Sequence, residues 1–169
     1  QVDDHIGASA TGFLMDGRVL IERAQVMAQQ YKVTYDGSMD LLSLVKDVAN
    51  LKQAYTQFGG ARPFGVNILF AGVDDEGPQL FVTDVTGIYF QYKATAVGEM
   101  ETQLKEILEK EYEDNITLEQ GLKLAVSAFK TVFGKEFDSD RLDGAYVKTS
   151  DKLFRRIDRE IIRKLSKKA

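Results

Sequence analysis

The chain contains no cysteine. That absence excludes disulfides, a thiolate nucleophile and every cysteine-ligated metal site, and it suits a reducing cytoplasm. Histidine occurs once, at His5, and with no cysteine beside it the sequence shows no Ser-His-Asp or Cys-His arrangement. Two prolines in the whole chain exclude long Pro-rich linkers. No apolar run approaches the roughly 18 residues that a membrane-spanning helix needs, so no membrane is expected as a partner. The opening Gln-Val-Asp-Asp-His has neither the basic start nor the apolar stretch of a signal peptide, and it lacks an initiator methionine, as expected of a fragment. Positive charge is in deficit. Lysine and arginine number 22 against 26 acidic residues, and the net charge of −4 argues against nucleic acid as the main partner.

What is present fits one globular domain spanning 1–169. The residues are 44% hydrophobic and 28% charged, enough to bury a sizeable core. Residues 6–14 (IGASATGFL) are small and weakly alternating, and predict a strand closely approached by another layer. Asp16 is expected to cap a helix that carries Val19, Arg23, Val26, Met27 and Gln30 at helical spacing, with Leu20 and Ala24 beside them. Ser38 is expected to cap a second, whose apolar face is Leu41, Leu44, Val45, Val48, Leu51 and Tyr55, and Gly59-Gly60 ends it. A β-meander follows, with strands at 64–73, 80–82 and 88–92 and polar, Gly-bearing turns between them. Two helices come next. One covers about 100–112. The other starts at Thr117, with Gln120 completing a capping box and Leu118, Leu122, Val126 and Phe129 facing inward. Short strands at 144–148 and 152–156 precede a last helix from Asp158, with Ile161, Ile162 and Leu165 on one face. Paired helices separated by meanders do not make βαβ crossovers. They predict an α+β fold of two helical layers flanking stacked antiparallel sheets.

Few residues point to chemistry. His5 beside Asp3 and Asp4 has no fixed ligand geometry and reads as a strand-start histidine rather than a metal site. Asp74-Asp75-Glu76 lacks EF-hand spacing and reads as a solvated turn. Gly98 opens a helical region, but VGEMETQ has neither the further glycines nor the Lys-Ser/Thr of a phosphate loop. The acidic run from Glu99 to Asp114 is a solvated face or a surface that meets a charged partner. The basic stretch at 155–169 is amphipathic and is expected to pack on the domain with a snorkelling rim. No metal, no cofactor and no catalytic residue is assigned.

Three stretches are far more specific. YTQFGGARPFGVNILFAGVD at 55–74, YKATAVGE at 92–99 and DDHIGASATGFLMDGRVLIERAQVMAQQYKVTY at 3–35 resemble the α-type subunits of the archaeal proteasome core particle. The similarity runs almost unbroken from Asp3 to about Phe133 and fades beyond Gly134, where only the order of strand, strand and helix matches. The strand after the meander, Tyr-Lys-Ala-Thr-Ala, resembles the α type rather than the β type.

The resemblance implies a four-layer αββα sandwich of the N-terminal-nucleophile hydrolase type, here without its first strand pair. It implies a non-catalytic structural subunit that caps the proteolytic chamber in ubiquitin-independent degradation. Its partners would be other α subunits in a heptameric ring, the β subunits, and the C-terminal tails of AAA+ ATPase activators. Catalytic relatives use an N-terminal threonine, whereas this chain starts at Gln1. The alternative class is an active β-type threonine peptidase, and a third is a stand-alone interaction module. In the family the helix pair matching 16–35 and 38–58 faces the β ring, and the pair at about 100–112 and 117–133 faces regulators. The family's gate-forming tail and the lysine that receives the activator carboxylate would lie before Gln1. Of the activator-tail site, the resemblance carries over Gly12, Phe13 and Leu14. Gly12 would allow close backbone approach and Phe13 would offer an apolar wall. A buried strand end is the competing reading of the same residues.

Overall fold

The computed structural model describes residues 1–168 and divides into two compact units, Gln1–Lys93 with Val147–Phe154, and Ala94–Tyr146 with the residues from Arg155 on. In the first unit, β1 (Ile6–Gly12) is followed by α1 (Leu14–Tyr35), α2 (Leu41–Gln57), β2 (Val66–Asp74), β3 (Gly77–Thr83) and β4 (Tyr89–Tyr92). The four strands form one antiparallel sheet in the order β1-β2-β3-β4. β1 and β2 pair from Ile6 opposite Gly72 to Gly12 opposite Val66. β2 and β3 pair from Asp74 opposite Gly77 only as far as Ile68 opposite Thr83. β2 therefore runs two residues past the end of β3, to Asn67 and Val66.

Val66, Ile68 and Phe70 are fully buried at period two, so one face of β2 looks into the core. Against them lie Leu20, Ala24 and Ala28 of α1 and Leu41, Leu44, Val45 and Val48 of α2, all fully buried. The expected stripe on α1 needs correction. Val19, Arg23 and Val26 are exposed; the fully buried contact is made by Leu20, Ala24 and Ala28, with Met27 of the expected stripe, Ile21 and Tyr31 partly buried against the same core. Close approach is the reason: a Cβ added at Gly17 would lie 2.7 Å from the Cβ of Ala10, leaving no room for branched side chains in that turn.

Both expected caps also move. α1 begins at Leu14 with Phe13 in the N-cap position, so Asp16 lies inside the first turn and does not cap it. β1 accordingly ends at Gly12 and not at Leu14. α2 is capped by Asp40, whose carboxylate accepts from the Ser43 amide at 2.8 Å, rather than by Ser38. Asp74 at the far end of β2 adds a second acceptor, taking the Leu41 amide at 2.9 Å. Two carboxylates thus satisfy the free N–H groups of one helix start.

The second unit holds α3 (Glu101–Glu111), α4 (Leu118–Phe133) and α5 (Arg159–Lys168), and the short strands β5 (Ala145–Val147) and β6 (Phe154–Arg156) form a two-stranded sheet. The capping box is formed: Thr117 accepts from the Gln120 amide at 3.3 Å and donates its own amide to the Gln120 side chain at 2.7 Å. In α5, Ile162 and Leu165 are buried while Ile161 is 47% exposed, so the expected three-residue face is narrower than drawn. The basic rim is occupied as the amphipathic pattern suggests. Arg163 pairs with Asp140 at 2.6 Å and Arg159 with Asp143 at 3.4 Å.

Candidate docking site at the start of the first long helix

The chain reverses between β1 and α1 on a single residue. Gly12 has φ of 118°, and a Cβ placed on it would lie 2.4 Å from the carbonyl oxygen of Gly65. No other residue type fits, because both the dihedral and the space exclude a side chain. The next amide, of Phe13, donates to that same Gly65 carbonyl at 2.8 Å. The Phe13 ring then folds over Gly65 so closely that a Cβ there would meet it at 2.4 Å.

Beneath this backbone lies Asp16, 7% exposed. Its carboxylate accepts from both terminal nitrogens of Arg62 at 2.7 Å each and from the Gly65 amide at 2.9 Å. Hydrogen bonds from the Arg62 guanidinium, and then from the Gly65 amide, hold the Asp16 carboxyl down from 3.8 to about 2 against the opposing cost of burial. Arg62 also donates to the Pro63 carbonyl at 3.0 Å and lies over the Phe13 ring, 5.6 Å from its centroid. The Gly-Gly-Ala-Arg-Pro corner thereby acquires a physical role. It delivers a guanidinium and a bare glycine backbone to the point where β1 turns into α1.

Gly12, Phe13 and Leu14 are adjacent on this surface. Phe13 is 64% and Leu14 72% exposed, so neither belongs to a buried strand end. Met15 continues the patch at 65%. Farther along α1, Val19, Val26 and Val33 recur at every seventh position and are all exposed, the last at 87%. This apolar line lies outside the face that α1 buries.

Other singled-out residues do structural work. His5 Nε2 donates to the Met39 carbonyl at 2.9 Å, which ties the start of β1 to the link between α1 and α2. Its Nδ1 faces Asp3 at 3.6 Å. Asp74 caps α2, and Asp75 pairs with Lys152 at 2.6 Å. Sequence reasoning missed the roles of Asp16, of Arg62 as its partner, and of Lys52. The first two stand 46 residues apart, and no local pattern joins them.

With this geometry in place, comparison with known proteins is decisive. The family described as "Proteasome subunit" matches residues 1–147. The chain belongs to the proteasome subunit family. It is 44% identical over 168 residues to "Proteasome subunit alpha" of Methanocaldococcus jannaschii, covering 99% of this chain and 64% of that one. It is 42% identical to the same-named protein of Methanopyrus kandleri over 98% of this chain and 66% of that one. For Thermococcus sibiricus the identity is 41% over 100% and 64%. This proteasome-family chain therefore spans about 64–66% of the length of the curated relatives it matches. Membership brings the family's α+β sandwich fold, of which the mixed sheets and helices above are the local expression.

Proposed function

We propose that the chain is part of a non-catalytic α subunit of a proteasome ring, one α-type domain that assembles with other α subunits and with β subunits. In this reading the junction at Gly12, Phe13 and Leu14 receives the C-terminal tails of AAA+ ATPase activators. The observation that carries it is the exposed Phe13–Leu14 surface, locked from below by Asp16, Arg62 and Gly65. An apolar ring held this rigidly in solvent loses little entropy when a tail packs on it. The apolar line Val19, Val26 and Val33 on α1 supports assembly, because a free helix has no reason to keep it in water. The alternative of a β-type peptidase is not favoured, since the relatives carry the name of α subunits. No helix among the described residues is long and apolar enough to cross a membrane, and a cytoplasmic site is part of the same proposal.

Two results test it. Fluorogenic peptides incubated with the purified chain are expected to give buffer-level rates. Turnover that persists through purification and is blocked by a threonine-directed inhibitor overturns the non-catalytic assignment. For docking, Phe13→Asp in the assembled ring should weaken a synthetic peptide ending in hydrophobic-Tyr-any residue. The lost apolar contact is worth roughly 1–3 kcal/mol, about tenfold to a hundredfold in affinity. The new carboxylate also repels the incoming terminal carboxylate. Because Phe13 is exposed, the melting temperature should stay close to wild type. Wild-type affinity in the variant removes Phe13 from the site.

A further inference from the structure

Lys52 is the one fully buried lysine among the described residues. It projects from α2 into the sheet, where its ammonium donates to the Val66 carbonyl at 2.9 Å, the Thr83 hydroxyl at 2.8 Å, the Thr83 carbonyl at 3.2 Å and the Asp84 carbonyl at 3.0 Å. The location explains the chemistry. β3 stops pairing with β2 at Thr83 opposite Ile68, so the first residues of β2, Val66 and Asn67, pair with β1 on one edge and have no strand beside them on the other. The carbonyls of Val66, Thr83 and Asp84 converge on that gap, and unpaired they would carry the full cost of burial. The ammonium supplies the missing donors and acts as a rung where the strand has run out.

Burial pushes the Lys52 ammonium down to about 8, with the Asp84 carboxylate opposing. At neutral pH it is still charged and keeps its full set of donors. Around it, β3 carries no charged side chain, the carboxylate of β2 stands at the opposite end on Asp74, and β4, Tyr89-Phe90-Gln91-Tyr92, carries no carboxylate or cation. The turn after β3 is pressed onto the same stretch of α2. A Cβ at Gly87 would lie 2.5 Å from the Ala49 carbonyl and 2.8 Å from the Gln53 amide.

Val66 is the residue after Gly65 and the partner of Gly12. Gly65 in turn accepts from the Phe13 amide and donates to Asp16. We infer that Lys52 is a positioning residue for the docking junction, fixing the first residues of β2 so that Gly65, Phe13 and Arg62 hold one geometry. The inference rests on the docking reading only for its functional consequence. The positioning itself is a property of the unit.

The test is amide hydrogen exchange on Lys52→Met, read beside binding of the synthetic tail peptide. Methionine fills the channel without charge, so the core itself should survive. The Phe13 and Gly65 amides are expected to exchange about tenfold faster, while Phe70 and Ala71 in mid-sheet keep their protection. Peptide affinity should fall by about tenfold over the same comparison. A purely structural lysine would instead raise exchange across the whole sheet together, and that uniform pattern, or unchanged Phe13 and Gly65 protection, overturns the inference. Should the wild-type ring itself fail to bind the peptide while the selective exchange pattern appears, the docking proposal falls and the positioning role stands. If Lys52→Met does not fold, Thr83→Val decides. It withdraws one acceptor, and selective loosening at Phe13 and Gly65 by about threefold is expected. No change there counts against Lys52.

Discussion

Gly12→Val should destabilise the fold by about 3–5 kcal/mol, the sum of a strained left-handed residue and an overpacked contact. The backbone at this position has φ of 118°, where a β-branched residue is scarcely accommodated. The clash cannot be relieved by a side-chain rotation. The nearest atoms to a new Cβ are the Gly65 carbonyl oxygen at 2.4 Å and the Val66 Cα at 3.1 Å, both backbone. Moving them would open the last pair of the β1–β2 ladder and the Phe13–Gly65 hydrogen bond with it. For a chain of this size the melting temperature should drop by roughly 10 °C. Gly37→Ala makes a good control, because a Cβ there meets only the Tyr35 carbonyl, at 3.8 Å. Thermal melts followed by circular dichroism would separate the two. A Gly12→Val protein that melts within about 2 °C of wild type would contradict the account of the junction.

Asp16→Ala comes next in size. It removes three charge-assisted hydrogen bonds at once and leaves the Gly65 amide without its acceptor. A loss of about 2–3 kcal/mol is expected, held below the sum of the bonds because Arg62 is largely exposed and regains water. The same pair sets an acid limit. The folded-state value of Asp16 is depressed from 3.8 to about 2. Its contribution is therefore fully present above the unfolded value and is lost as pH falls through the window between the two. Asp16→Asn keeps the shape and removes the charge. Denaturant melts of wild type and Asp16→Asn should differ most near neutral pH and converge as pH approaches 2. A gap of constant size over that range would mean that the carboxylate charge contributes nothing.

Both residues bear on how much could be read from the chain alone. The order of elements was legible, because glycine and aspartate turns punctuate runs of clear period two or 3.6. The Thr117–Gln120 capping box was legible for the same reason: its partners are three residues apart. The long matches at 3–35 and 55–74 led to the family, and the resemblance over 3–35 put Gly12, Phe13 and Leu14 forward for the proposed tail site. Ser38 misled because it is a good cap in isolation, while Asp40 stands nearer the first turn and Asp74 reaches the same helix start from β2. On α1, hydrophobicity pointed to valines that turn out to face solvent, because the helix has apolar residues on two sides and the packed one carries the small residues Gly17, Ala24 and Ala28 that let the sheet come close.

The sequence by itself determined which segments become strands and helices, where glycine must stand, and to which family the chain belongs. These depend on residues within a turn or two of one another, or on long ordered motifs. Only the tertiary structure decided that Asp16 serves Arg62 rather than its own helix, that Phe13 stands in solvent, and that Lys52 closes the end of a strand ladder. Those contacts join residues 14 to 46 positions apart. Their energies come from groups that share a low-dielectric site only after the layers have packed, so no local pattern could announce them.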